Sequence, residues 1–588
     1  MIRIFSRLKP KEWLMICAGL VFIVAQVWLD LRVPEYMAEV TRIVSAPGSV
    51  ISDAINIGLF MLLASLGSAA ASVIIGYFAA RVGASFSHGL RGDVFRRVES
   101  FSMEEMTTFS TASLITRTTN DITQIQRLIA MGTQVVIRAP IMAVWALVRM
   151  SEGNWEWTAL TGSLVAIVII MISVLMTYAL PRFRKIQILT DNLNRVTREN
   201  LTGIRVVRAY NAESFQESKF EDANDEFTTN SLSVNRAMQI MNPIMRFVMT
   251  GVSLGIFWIG AFLISAAAMD ERIEIFANMV VFSQYAMHVI MSFMMLTMVF
   301  IMLPRVMVSV KRVNEVLDTE PKIIDGSLDT SAQSSGEIEF LNVSFKYPDA
   351  EDYVLYDISF KVSSGETVAL IGSTGSGKST IINLVPRFYD ATNGKVLVDG
   401  IDVRDYTQRA LRNKIGYVPQ RAILFSGTVT SNVSFGESGK PKATENDIKK
   451  AVGVAQAAPF VEKMDDGYDS RIAQGGMNVS GGEKQRLAIA RAVCRNPEIF
   501  IFDDSFSALD YSTDRELRKA LRKETKGATS LIVAQRIGTI RDADKIVVLD
   551  EGRMVGMGTH GELMKSGEVY REIAHSQLST EELESFAG

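Results

Sequence analysis

Six long apolar stretches occupy the first half of the chain, and the second half alternates short apolar runs with amphipathic ones. The long stretches run from about Trp13 to Leu29, Ile55 to Ala80, Val135 to Met150, Trp157 to Leu180, Met241 to Ala268 and Ile275 to Pro304. A helix needs about 20 apolar residues to cross a bilayer. Each stretch is near or above that length once the third is extended towards Thr133, so the pattern predicts six membrane spans. The loops between them are short after the first, third and fifth spans. They are long after the second and fourth, roughly Arg81 to Gly132 and Pro181 to Gln239. The long loops carry Arg91, Arg96, Arg97, Arg117 and Arg127, then Arg182, Arg184, Lys185, Arg195, Arg198, Arg205 and Arg208. The short loop from Asp270 to Glu274 is mostly acidic. The positive-inside rule therefore puts the long loops and both chain ends in the cytosol. Arg195 to Phe220 places apolar residues at mixed three and four spacing without proline, which predicts that spans two to five continue as helices into the cytosol.

After about Val316 the pattern changes. Thr319 to Gly336 is rich in Asp, Ser, Pro and Gly and reads as a linker. Beyond it, candidate strands at Val368–Ile371, Lys395–Val398, Ile415–Val418, Ile499–Phe502 and Ser530–Val533 alternate with helical segments, which predicts an α/β domain. The expected division is a membrane domain over 1–315, a linker over 316–335, an α/β domain over 336–575 and a polar tail over 576–588. The amino end is basic through Arg3, Arg7, Lys9 and Lys11, as in a signal peptide. No small-residue cleavage site follows and more spans come after, so it reads as a first span with a cytosolic start.

Composition narrows the classes. The 588 residues are 48% hydrophobic with a mean hydropathy of +0.18, apolar for a soluble chain. A net charge of −3 gives no reason to propose nucleic acid as a partner. Two cysteines, Cys17 and Cys494, argue against a disulfide framework or zinc site. The four histidines, His88, His288, His560 and His575, are too scattered for a metal cluster.

Three motifs carry chemistry. Gly372-Ser373-Thr374-Gly375-Ser376-Gly377-Lys378-Ser379-Thr380 fits G-x-x-x-x-G-K-[ST], after an apolar strand and before a helix. Its glycines let backbone N–H groups turn inward onto phosphate oxygens. Lys378 is expected on the β and γ phosphates and the Ser379 hydroxyl on Mg²⁺. Ile499-Phe500-Ile501-Phe502-Asp503-Asp504 delivers carboxylates from the end of a strand, which suits Mg²⁺ binding. The same pattern fits an ordinary buried strand, and the upstream phosphate loop favours the functional reading. Asn478-Val479-Ser480-Gly481-Gly482-Glu483-Lys484-Gln485-Arg486 opens a helix, a second anion-binding arrangement that needs its own nucleotide. Two such domains facing each other would let the Ser480 element of one close on ATP held by the other.

The order of phosphate loop, Gln420, Ser480-Gly481-Gly482, Asp503 and Ser507-Ala508-Leu509-Asp510 resembles the nucleotide-binding domain of ABC transporters. Six spans ahead of it resemble an exporter-type half-transporter. Leu114 to Asp121 and Asn200 to Tyr210 are similar to that family's first and second cytosolic loops. The resemblance implies ATP and Mg²⁺ as cofactors, a second ABC half-transporter as partner, and a multi-pass protein of the bacterial cytoplasmic membrane. It implies that Tyr347 stacks on adenine and that Gln420 reaches Mg²⁺ and senses the membrane helices. It places Ser480, Gly481 and Gly482 on the partner's γ-phosphate and Asp510 at the dimer seam. Short helices near Phe109–Leu114 and Tyr210–Ser214 would couple the domains.

Two departures bear on hydrolysis. Asp504 stands where the family usually has Glu, and Gln535 where it usually has His. The shorter Asp504 would hold an attacking water about 1 Å or more too far away. Gln535 can hydrogen-bond a phosphate but cannot act as a cation or shuttle protons. Val479 and Glu483 also replace the usual Leu and Gln, and Ser470 to Gly476 lacks the acids of many homodimeric relatives. The chain therefore resembles the degenerate-site subunit of a heterodimeric multidrug exporter. A homodimeric lipid or peptide exporter is the alternative, and an ATP-gated channel or regulatory subunit is a third class.

Substrate clues are sparse. Span six and its approach hold Met279, Met287, Met291, Met294, Met295, Met298, Met302 and Met307, and span five adds Met241, Met245 and Met249. They suit either an adaptable surface for amphipathic compounds or plain packing. Arg138, Arg246 and Gln284 are candidates for a polar cavity or for structural pairing.

Overall fold

The computed structural model describes residues 4, 6–45, 50–269, 271–329, 336–348 and 350–577. It forms two compact units, one of Met1–Glu99 with Thr111–Thr319, the other of Ser100–Ser110 with Glu320–Gly588.

The first unit is helical. Its elements are α1 (Pro10–Ser45), α2 (Ile51–Glu99), α4 (Thr111–Thr116), α5 (Ile122–Ser151), α6 (Trp155–Thr202), α7 (Ile204–Ala209), α8 (Glu213–Ala266) and α9 (Arg272–Asp318), with α3 (Met103–Phe109) belonging to the other unit. Six of these segments are long and apolar enough to cross a membrane. Only 17–39% of each span's most apolar window is buried, so most apolar side chains face outward. Leu59, Phe60, Leu62 and Leu63 lie exposed almost in succession, which water would not tolerate and hydrocarbon would.

The inward faces pack closely. A Cβ on Gly260 would lie 2.4 Å from Met279 Sδ, and one on Gly255 would lie 2.6 Å from Leu160. Met245 and Met279 are buried in this core with Trp157 and Ile256, so these two methionines serve packing. Trp157 Nε1 donates to the Ile256 carbonyl at 3.2 Å. Arg138 is paired with Asp30 at 2.9 Å, and Asp30 also accepts from Ser68, while Arg246 and Gln284 are exposed.

Of the two expected short helices, the first is met in part by α4 (Thr111–Thr116), while the second sits earlier than the loop motif suggested. Ser102 and Glu105 form a reciprocal cap that starts α3, and Phe109–Leu114 straddles its end, where Ser110 adopts φ 50°. Likewise α7 ends at Ala209, and Tyr210–Ser214 is a turn through Asn211 at φ 50° leading into α8. Within the second unit, Lys322 N–H donates to Glu105 Oε1 at 3.2 Å and its ammonium pairs with Glu104.

The second unit contains two larger sheets. The antiparallel one has the order β2-β1-β4-β5, with β1 (Ile338–Phe345), β2 (Leu355–Val362), β4 (Asn393–Val398) and β5 (Ile401–Asp402). The other has six strands in the order β12-β11-β3-β10-β9-β6. They are β3 (Thr367–Gly372), β6 (Ile415–Val418), β9 (Ile499–Asp503), β10 (Thr529–Val533), β11 (Lys545–Asp550) and β12 (Arg553–Gly558). A short pair, β7 (Gly427–Thr428) and β8 (Arg471–Ile472), lies apart. Strands β11, β3, β10, β9 and β6 run parallel, and all five residues of β9 are buried, as a strand covered on both faces requires. Each strand expected from the sequence is present.

Two segments differ from expectation. The expected linker is built into the fold: its first residues finish α9 of the first unit, and in the second unit Leu328 bridges Tyr406 while Gly326 leaves no room for a Cβ, which would collide with the Asp405 backbone. At the other end the last helix, Glu568–Gln577, runs past His575, and the rest of the expected tail lies outside the described residues.

Candidate nucleotide-binding site

In a parallel α/β sheet, ligands bind beyond the carboxyl ends of the strands. Here Leu370 of β3 pairs with Val533 of β10, and Val533 pairs with Asp503 of β9. The register therefore delivers Gly372, Asp503 and the residues after Val533 to one edge.

After β3 the chain turns through Gly375 at φ 87° and Gly377 at φ 91° and enters α10 (Lys378–Leu384). At Gly377 a side chain would also collide with Leu355, 2.5 Å away. Glycine is thus required both for conformation and for space. The Lys378 ammonium folds back over the loop, donating to the carbonyls of Gly372 at 2.9 Å and Ser373 at 2.7 Å and to Ser376 Oγ at 3.3 Å. Burial pushes the Lys378 pKa down, against the pull of Asp504 and Asp503. Thr374 and Gly375 are exposed, so the loop is open to a ligand.

Ser379 Oγ donates to Asp503 Oδ1 at 2.9 Å. Burial raises the Asp503 carboxyl pKa; the Ser379 bond and Lys378 pull it down, and the neighbouring Asp504 charge pushes it up. Asp504 begins the turn after β9 at φ 44°, a left-handed conformation that Asp tolerates better than most residues. Its Oδ2 accepts from Gln535 Nε2 at 2.9 Å and more weakly from Gln420 Nε2 at 3.4 Å. Burial raises the Asp504 pKa as well, opposed first by its hydrogen bonds to Gln420 and Ser507. Tyr347 hydroxyl bonds Thr380 Oγ1 at 3.1 Å, and its ring packs edge-on against Tyr389 and Phe345. Four separate sets of hydrogen bonds thus lie at one edge: Tyr347 with Thr380, Lys378 with its own loop, Ser379 with Asp503, and Asp504 with Gln420 and Gln535.

Ser480, Gly481 and Gly482 are not among them. Ser480 caps α11 (Gly481–Cys494) in a reciprocal bond pair with Glu483, and Gly481 faces open space. Asp510 caps α12 (Tyr511–Glu524), and bonds from Thr513 and Ser512 hold its carboxyl well below the usual range. Among the described residues, no hydrogen bond or ion pair links the Ser480 element to the phosphate loop.

Sequence reasoning missed Gln577. Its Nε2 donates to the Gln535 carbonyl at 2.7 Å, and its Oε1 accepts from Ile537 N–H at 2.9 Å, tying the Gln535 turn to the last helix. A contact spanning about 40 positions leaves no local signal.

Comparison with known proteins agrees with the fold of the two units. Residues 16–293 match the ABC transporter transmembrane region and residues 355–507 match the ABC transporter model. An uncharacterised ABC transporter ATP-binding protein of Mycobacterium bovis is 39% identical over 505 residues, 85% of each chain. One of Bacillus subtilis is 33% identical over 584 residues, 99% of each. An ATP-dependent lipid A-core flippase of Pseudomonas syringae is 31% identical over 88% of this chain and 84% of its own. A bacterial Atm1-family ABC exporter solved with ATP bound shares the fold with a TM-score of 0.78 at 24% identity, covering 97% of this chain and 98% of that one.

Proposed function

Because this chain belongs to the ABC transporters, ATP-hydrolysing machines that here fuse an exporter-type membrane region to the nucleotide-binding domain, we propose that it exports amphipathic molecules, lipids foremost. Two copies of the half, or this half with a different one, would close on two ATP molecules and turn a central cavity outward across the bacterial cytoplasmic membrane. The observation that carries the reading is the union, in one chain, of the Lys378–Ser379–Asp503 phosphate site with six apolar helices. The emphasis on lipids draws support from the likeness to lipid A-core flippases.

Within the site, the loop N–H groups around Gly375 and Gly377 would bind phosphate oxygens, and Lys378 would exchange its carbonyl partners for the β and γ phosphates. Tyr347 would support the adenine. The side chains fit Mg²⁺: Ser379 and Asp503 present hard oxygens 2.9 Å apart, and Mg²⁺ shares its coordination with phosphates and water rather than needing a full protein cage. Gln420 would add a third oxygen. Mg²⁺ supplies neutralisation of the charge on the transferring phosphoryl group. Ser480, Gly481 and Gly482, unengaged with their own loop, would close on ATP held by the opposing half.

A second reading concerns assembly. The Asp504 carboxylate held by Gln535, in place of a longer acid and a histidine, favours a slow site and a heterodimer with a hydrolytically complete partner. The test is ATP hydrolysis and fluorescent-lipid translocation in proteoliposomes, for the chain alone and with a co-expressed neighbouring half. Lipid-stimulated hydrolysis with outward translocation supports export. Ion current with no translocation would sink it. Full turnover by the chain alone would overturn the heterodimer.

A further inference from the structure

The turn after β10 carries Gln535, whose side-chain amide bonds Asp504, and the backbone of that turn is gripped from behind. Gln577, the final residue of the last helix (Glu568–Gln577), donates from Nε2 to the Gln535 carbonyl at 2.7 Å. Its Oε1 accepts from the Ile537 N–H at 2.9 Å. Arg536 between them is extended, at φ −106° and ψ 126°, so the Gln535 carbonyl and the Ile537 N–H point to the same side. A carboxamide carries the same planar donor and acceptor pair as a peptide group, and among side chains only Asn and Gln have it. Gln577 therefore stands in for one residue of a parallel strand laid beside Arg536.

This grip has a firm base. Tyr570, Ala574 and Gln577 fall at helical spacing on one face of the last helix. Tyr570 and Ala574 are fully buried and share a core with Ala534, Ile537 and Ile540, which flank and follow Gln535. The Tyr570 hydroxyl is fixed in turn by His560 Nδ1 at 2.7 Å. The far end of the same segment is held separately, where Arg518 donates to the carbonyls of Gly538 at 3.0 Å and Thr539 at 3.3 Å. Releasing Gln577 would thus loosen the backbone at Gln535 while the core contacts and Arg518 stay in place. The Gln535 amide projects from that backbone, so its position against Asp504 follows the backbone's.

We infer that Gln577 is a positioning residue for ATP hydrolysis: from the last helix it sets where the Gln535 amide stands relative to Asp504 and the γ-phosphate. The inference rests on the proposed role of Gln535 at the γ-phosphate. The test is phosphate release by the full-length chain in nanodiscs with Mg²⁺ over a range of ATP, read both in the unmodified chain and in Asp504→Glu. Gln577→Met keeps the length of the side chain but loses both bonds. Two exposed hydrogen bonds of ordinary net strength favour the held turn by about ten-fold, so kcat should fall about five- to ten-fold. KM for ATP should move less than about two-fold, because no phosphate-loop contact changes. Gln535→Ala should lower kcat by itself, and adding Gln577→Met to it should cost nothing further, because the amide being positioned is gone. An unchanged kcat in Gln577→Met overturns the inference. So does a full further loss in the Gln535→Ala background, which marks a general loosening of the domain. An unchanged kcat in Gln535→Ala alone overturns the role of Gln535 and the inference with it.

Discussion

Lengthening Asp504 should speed hydrolysis. Its carboxylate is held 2.9 Å from Gln535 Nε2 and 3.4 Å from Gln420 Nε2, a short acid tethered between two amides. Asp504→Glu adds one methylene, about 1.5 Å of reach. A misplacement near 1 Å costs on the order of 100-fold in rate, so kcat should rise roughly 10- to 100-fold, or about 1.4–2.7 kcal/mol off the barrier. KM for ATP should move little, because the phosphate-loop contacts are untouched. A small stability loss should accompany the gain: the residue sits at φ 44°, a conformation that Asp accepts more readily than Glu. The assay is steady-state phosphate release by the purified chain in nanodiscs with Mg²⁺, with Gln535→His tested singly and in combination. Rapid turnover by the unmodified chain, or no gain from Asp504→Glu, would refute the argument from reach.

Asp503→Asn should stabilise the nucleotide-free protein at neutral pH while weakening Mg²⁺-dependent ATP binding. Burial holds the folded Asp503 pKa above the ordinary aspartate value of 3.8, so its contribution to stability is present below that value and lost as pH rises through the raised one. The variant should flatten that decline and raise the neutral-pH melting midpoint by roughly 2–4 °C per kcal/mol relieved, read by scanning fluorimetry. Lys414→Met should destabilise strongly. Lys414 bonds Asp399, 1% exposed, at 2.8 Å and Glu498 at 2.7 Å, so the change strips a buried carboxylate of its cation at a cost of about 3–5 kcal/mol. Adding Asp399→Asn should recover part of the loss in the same melting experiment.

The features that could be read in advance rest on short-range patterns. Spans announce themselves by runs of apolar residues, and the phosphate loop by glycines whose left-handed turns are local demands. β9 announces itself by five apolar-to-acidic positions that must lie between neighbouring strands. The positions misjudged were set by competing signals or by distant partners. α3 starts at Ser102 because Ser102 and Glu105 cap each other, a signal present in the chain but overshadowed by the loop motif just downstream. Gly326 looks like linker glycine, yet it is glycine because the Asp405 backbone leaves no room for a side chain. Met279 reads equally as substrate surface or packing, and only Gly260 on the facing helix decides.

The same distinction bears on the site itself. Binding phosphate needs backbone N–H groups and a lysine, all within nine consecutive residues, and those positions are intact. On the proposed reading, placing a hydrolytic water would need Asp504, Gln535 and Gln420 brought together from three strands' ends, so a shorter acid at 504 would leave ATP binding unaltered while displacing the base. Gln577 adds a further constraint, because it holds the Gln535 backbone from the last helix. Restoring histidine at 535 thus places the new ring on a turn already fixed by two hydrogen bonds. Activity then depends on the reach of residue 504 more than on the mobility of residue 535, which is why the single change Asp504→Glu should account for most of the gain in the double variant.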